Sequence, residues 1–260
     1  MKKLGGKSNM AAFNNRTGEE KYNKRGKLMK IVEYNGCKDI IVEFPNDHNV
    51  RVHTNYKCFI EGVVKSPYDI TVHNVGYKGY GKYNNYYEHK HAWDTWAHML
   101  RRCYDPKTIE QNPTYKNCSV CKEWHNFQNF ADWYYMNYYT VPWKENMQLD
   151  KDIIKKHNKI YCPENCVFAP QGINSLLINK PNSRGKYPVG CYASYDKICA
   201  RCNTLNKTVH LGRFNTVREA FEAYKDFKEN YIKQVADNYK DYIPKKLYDA
   251  LYNWVVEIND

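Results

Sequence analysis

Residues 149 to 174 constrain this chain more than any other stretch. Leu149-Asp150-Lys151-Asp152 closes one short run, and a polar loop follows through Lys155, Lys156, His157, Asn158 and Lys159. Cys166 to Ala169 forms a second short run, and a helix is predicted to start near Pro170. The order is strand, strand, helix, with polar side chains at both ends. Asp150, Lys151, Asp152, His157, Glu164, Asn165 and Asn174 are the groups this arrangement offers to chemistry.

The flanks are of three kinds. Residues 1 to 27 are polar, basic and without a period, and read as a flexible basic arm. Residues 28 to 83 predict a small β-rich domain: Asp39–Phe44 and Val50–His53 are β-branched runs split by the turn at Pro45-Asn46-Asp47. Ile60, Val63 and Val64, then Ile70, Val72 and Val75, suggest further short strands, and residues 76 to 83 read as a Gly/Tyr/Lys linker. Residues 84 to 180 hold the central motif. Helices are predicted before it from His91 to Cys103 and from near Lys122, with Trp93, Trp96, Leu100, Trp124, Phe127, Phe130 and Trp133 on apolar faces. A basic linker, 180 to 187, leads to a last region, 187 to 260, of strands followed by a long helix. Thr216 with Glu219 three residues on is a capping box. Ile243, Leu247, Leu251 and Trp254 predict a final helix that packs internally or forms an oligomer contact.

Charge points to the partner. The 260 residues carry a formal net charge of +12, which favours a polyanion. No apolar run reaches the roughly 18 residues that a membrane span needs, and the first residues lack the apolar stretch of a signal peptide. An intracellular protein is expected, in which the 10 cysteines are free thiols or metal ligands rather than disulfides.

The central motif resembles the HNH, or ββα-metal, nucleases, particularly the homing endonucleases common in phage genomes. That family carries an Asp-His pair on the first strand, an Asn bracing the loop and an Asn on the helix. Asp150 matches the metal-binding Asp, Asn165 the bracing Asn and Asn174 the helical ligand, nine positions after Asn165. The resemblance implies an α+β fold with a ββα-metal core and a Mg²⁺ or Mn²⁺ ion held by Asp150 and Asn174. It implies hydrolysis of phosphodiester bonds in double-stranded DNA, in the cytoplasm of a phage-infected bacterium. Carboxylate and amide oxygens suit such hard cations. One such site cuts one strand per visit, so nicking is the expected product; double-strand cutting requires a homodimer.

Lys151 stands where the family has its general-base His. Lysine is ordinarily protonated at neutral pH. His157, Asp152 or Glu164 could supply the base. Burial could instead depress Lys151, or the site could be inactive, with Lys151 holding phosphate and the chain acting as a DNA-binding or regulatory protein. Cys118, Cys121, Cys162 and Cys166 form a candidate structural zinc set, with free buried thiols as the alternative.

The last region, from Val189-Gly190 through Leu211-Gly212-Arg213-Phe214 to Thr216, Glu219-Ala220 and Ala223-Tyr224, resembles the apetala/ethylene-response DNA-binding domain. The resemblance implies a three-stranded sheet in the major groove backed by a helix. It places Tyr192, Tyr195, Lys197, Arg201 and Arg213 as candidate DNA contacts.

Overall fold

The computed structural model describes residues 14–178 and 186–260. The chain is an α+β protein of two compact units, one formed by the chain up to Trp93 with His125–Gln128, the other by Asp94–Trp124 and Asn129–Asp260. The boundary thus falls some ten residues after the expected one at 83/84, and 125–128 joins the first unit. Most of the 180–187 linker, and residues 1 to 13 of the expected arm, lie outside the described residues.

The first unit is an antiparallel meander of β1 (Glu20–Tyr22), β2 (Leu28–Gly36), β3 (Asp39–Phe44) and β4 (Val50–Thr54), in that order. Alternation buries Ile40, Val42 and Phe44 of β3 against Met29, Ile31, Val50 and Phe59. Two expectations are corrected here. The second half of the arm is ordered: β1 pairs with β2, and the Asn23 side chain accepts the Arg25 and Lys27 N–H groups to form the turn between them. The apolar residues after 54 do not form strands. Asn55 caps a short helix, α1 (Tyr56–Ile60), by accepting the Cys58 N–H, and up to residue 83 only the isolated bridges Val72–Gly76 and Tyr77–Asn126 follow. A side-chain cap at Asn55 outweighs the β-branched composition downstream.

The expected linker at 76 to 83 is fastened. Tyr77 donates to His125 O and accepts from Phe127 N, while Gln128 bonds Lys78 O and the Tyr83 N–H. A Cβ at Gly79 would lie 2.1 Å from Asn126 Oδ1, so a side chain there would displace the segment.

The second unit begins in α2 (Lys90–Tyr104), continues through α3 (Pro106–Gln111), β5 (Ser119–Val120) and α4 (Phe127–Asn137), and then forms the central motif. There β6 (Met147–Asp150) pairs antiparallel with β8 (Val167–Pro170), and α5 (Gln171–Leu177) follows directly. The loop between them contributes β7 (Ile160–Tyr161), which pairs parallel with β5. Trp96, Trp124, Phe127, Phe130 and Trp133 are buried, as the aromatic faces predicted, and Phe168 of β8 is buried as well.

The last region forms β9 (Cys191–Ser194), β10 (Lys197–Asn203) and β11 (Thr208–Phe214), an antiparallel sheet in the order β11-β10-β9, then α6 (Val217–Tyr239) and α7 (Lys245–Tyr252). The capping box at Thr216 and Glu219 is formed. The first half of α6 packs Ala220, Phe221 and Tyr224 under the sheet; its second half joins Ile232, Val235 and Ala236 to α5 and α7. Leu247 and Leu251 are buried in that second cluster, so α7 is an internal packing helix and its apolar face is not available as an oligomer contact.

Candidate functional site

A cleft of about 550 Å³ opens at the end of β6, within the second unit. Asp150, Lys151, Asp152, His157 and Asn174 line it, from three elements of the motif. Pairing of Asp150 with Val167 fixes the strand end, and Ile173 and Leu176 anchor α5 in the core, which leaves half-buried Asn174 on the cleft.

Asp150 is half-buried, and its Oδ1 accepts the N–H groups of Asp152 and Ile153 at 2.7 and 2.8 Å. This side-chain turn bends the chain sharply away from the strand. Burial, and then the neighbouring Asp152 charge, push the Asp150 carboxyl up to about 6. Two crowded carboxylates, with Asn174 on the same cleft, are a donor set that a divalent cation would stabilise.

Lys151 is buried, with Nζ donating to Asp152 Oδ2 at 2.8 Å. Burial pulls its pKa down, but the Asp152 hydrogen bond and charge outweigh it, and the net shift is upward. A Lys151 depressed to serve as a base is therefore corrected: the ammonium is held charged. Glu164 is exposed, outside the cleft lining, with its carboxyl lowered by its own N–H and by Cys162. Asp152 and His157 line the cleft.

Asn165 lies away from the cleft lining and braces the loop indirectly. Its Nδ2 donates to Asn158 Oδ1 at 3.2 Å, and Asn158 Nδ2 donates to Lys151 O and Ile160 O, both at 2.7 Å. Buried Asn158 is the clamp that sequence reading missed. An Asn in a polar loop is an ordinary turn residue, and its partners lie seven positions away on either side and two positions on, just past β6, in the loop and in β7. Arg102 of α2, also missed, lines the cleft.

Among the described residues, one group of three metal-ligating side chains has its donor atoms within 4.8 Å of one another: His157, Glu257 and Asp260. Both Asp260 oxygens already accept from Lys156 Nζ at 2.7 Å. The cysteine quartet does not assemble. Ser119 and Val120, between the first pair, form β5 rather than a knuckle, and an extended chain separates residues three apart by about 10 Å. Cys121 sits beside Cys162, and the Cys166 N–H bonds Cys162 O; Cys118 is at the opposite end, near Thr114 O. All four thiols have pKa values raised by burial, Cys121 to about 11.

The sheet gathers most of the other candidates. Ile198, Ala200 and Cys202 of β10 point into the core, so Lys197 and Arg201 lie on the opposite face, where Cys199 between them is buried. Register places Tyr192 and Arg213 opposite Cys199, and His210 opposite Arg201. The Arg201 guanidinium lies 5.0 Å from the Tyr192 ring centroid, and Arg213 is 3.8 Å from Asp196. Tyr195, at φ +54°, occupies the β9–β10 turn almost fully exposed. Lys151 belongs to the cleft and not to this face.

No protein-family model matches this chain, and neither a curated protein nor a solved structure does. No helix among the described residues is long and apolar enough to cross a membrane.

Proposed function

We propose that this chain is a metal-dependent DNA endonuclease of the HNH type that nicks double-stranded DNA inside a bacterial cell. The observation that carries the reading is the meeting of Asp150 and Asn174, one from a strand end and one from a helix, on a cleft that also holds His157. Asp150 and Asn174 would hold Mg²⁺ or Mn²⁺, which when bound neutralises charge developing on a phosphate. Asp150 is oriented by two backbone N–H groups, so its position is set before substrate arrives. Imidazole suits proton exchange near neutral pH, and His157 is the imidazole of this cleft; it takes the proton of the attacking water. Lys151 stays protonated and supports negative charge. The outward sheet face, with Tyr192, Tyr195, Lys197, Arg201 and Arg213, supplies affinity for duplex DNA.

The fixed ammonium of Lys151 favours a second reading, a DNA-binding or regulatory protein on an inactive nuclease scaffold. Nicking of supercoiled plasmid with Mg²⁺ or Mn²⁺ separates the two. The endonuclease reading expects nicks from the native chain, none from Asp150→Ala, and a strong loss in His157→Ala. Salt-sensitive binding without cleavage under either metal supports the second reading. Linear product with second-order dependence on enzyme would point to a homodimer.

A further inference from the structure

The wall of the cleft nearest α2 carries positive charge without an acid beside it. Lys151 is paired with Asp152, and Lys156 with Asp260. Arg102, in the last turn of α2, is half-buried and has no carboxylate partner among the described residues. Its Nη1 reaches Tyr161 Oη at 3.5 Å and its Nε the His98 carbonyl at 3.4 Å, both long for a charged donor, and the Tyr115 hydroxyl also bonds the guanidinium. The rings of Tyr115 and Tyr161 flank the guanidinium carbon at 5.9 and 6.0 Å. Lys159, exposed on the same wall, donates to Thr114 O at 2.9 Å and likewise has no acid partner among the described residues.

A guanidinium has five N–H donors in a rigid fork. Drawing one partly out of water without a counter-charge is costly unless an anion arrives to share its donors. The fork matches two oxygens of a phosphate, and the two tyrosine rings hold its plane in place before binding.

We infer that Arg102 and Lys159 form a phosphate subsite distinct from the Asp150–Asn174 pair. Its ligand is a backbone phosphate of the bound nucleic acid, next along the strand from the one presented to Asp150. The phosphate chemistry follows from the cleft wall alone; its identity as a backbone phosphate rests on the endonuclease reading.

The full-length chain tests this in two arms. In the first, metal-free protein is titrated with inorganic pyrophosphate at constant ionic strength and its unfolding midpoint followed. In the second, binding of a duplex oligonucleotide is measured by anisotropy in Ca²⁺ and plasmid nicking in Mg²⁺. Pyrophosphate should raise the midpoint of the native chain and not of Arg102→Met. Duplex affinity should fall roughly ten- to hundredfold in that variant, the range of a lost charge-assisted pair. Arg102→Lys keeps the charge without the fork, and Lys159→Gln alters only an exposed side chain; both should give weakened responses, and they carry the test if Arg102→Met does not fold. An unmoved native midpoint, or a native-like pyrophosphate response in both Arg102→Lys and Lys159→Gln, overturns the subsite. A response lost in Arg102→Met with duplex affinity unchanged supports a site for free phosphates and overturns the backbone assignment. A response and duplex affinity both lost in Arg102→Met, in a native chain that never nicks, upholds the subsite while the endonuclease reading alone fails.

Discussion

Asn158 ties the cleft loop together with a single amide. Its Nδ2 serves the carbonyls of Lys151 and Ile160, and its Oδ1 accepts from Asn165. Asn158→Ala leaves buried carbonyls unpaired and should destabilise the chain by about 2–4 kcal/mol. Asn165→Ala removes one bond and should cost about 1 kcal/mol. Because the two share one contact, the double variant should fall short of the sum, which urea unfolding of the four proteins checks. A second residue-scale effect lies in Cys103, whose thiol burial pushes up from 9.0 to about 12. The folded state therefore keeps a proton that the unfolded chain releases. The stabilising contribution is complete below pH 9 and is lost as pH rises toward 12. The stability difference between the native chain and Cys103→Ala should be constant from pH 7 to 8.5 and shrink above it.

Among the elements, Gly190 limits the sheet most sharply. It enters β9 at φ +78°, and a Cβ there would fall 2.1 Å from the Tyr224 ring on α6. Gly190→Ala combines a left-handed backbone with a collision and should destabilise by more than about 2 kcal/mol, read as a lowered urea midpoint. Elements governed by local signals were legible in the sequence. Asp39–Phe44 alternates cleanly, Thr216 and Glu219 announce α6, and the strand–strand–helix order of the motif stands as β6, β8 and α5. Elements governed by distant partners were not. The two-residue strands β5 and β7 exist only through their pairing across some 40 residues, and β1 only through β2. The same limit applied to the site. Asp150, Lys151, Asp152, His157 and Asn174 could be named because one continuous motif carries them. Arg102 lies in another helix, and Cys118 parts from Cys121 because the intervening residues form a strand.

For the whole molecule, a net charge of +12 and a sheet face bearing Lys197, Arg201 and Arg213 set the expected response to salt. Duplex affinity should fall steeply as salt rises, with a log–log slope of about −3 or steeper. Arg201→Ala or Arg213→Ala should shallow that slope by about one if the residue holds a phosphate, and relax sequence preference if it reads a base. Anisotropy titrations across a salt series distinguish these outcomes. The 23-residue helix α6 gives this arrangement a further property. One half lies under the sheet and the other is built into the core beside α5, the helix that presents Asn174. At 1.5 Å per residue its ends stand about 34 Å apart, close to one turn of B-form DNA. Under the proposed endonuclease reading, in which the sheet grips DNA and the cleft cuts it, a single rod shared by the two would act as a ruler. Nicks should fall at one fixed offset from the sequence the sheet prefers, and the offset should hold even when the bases between are changed.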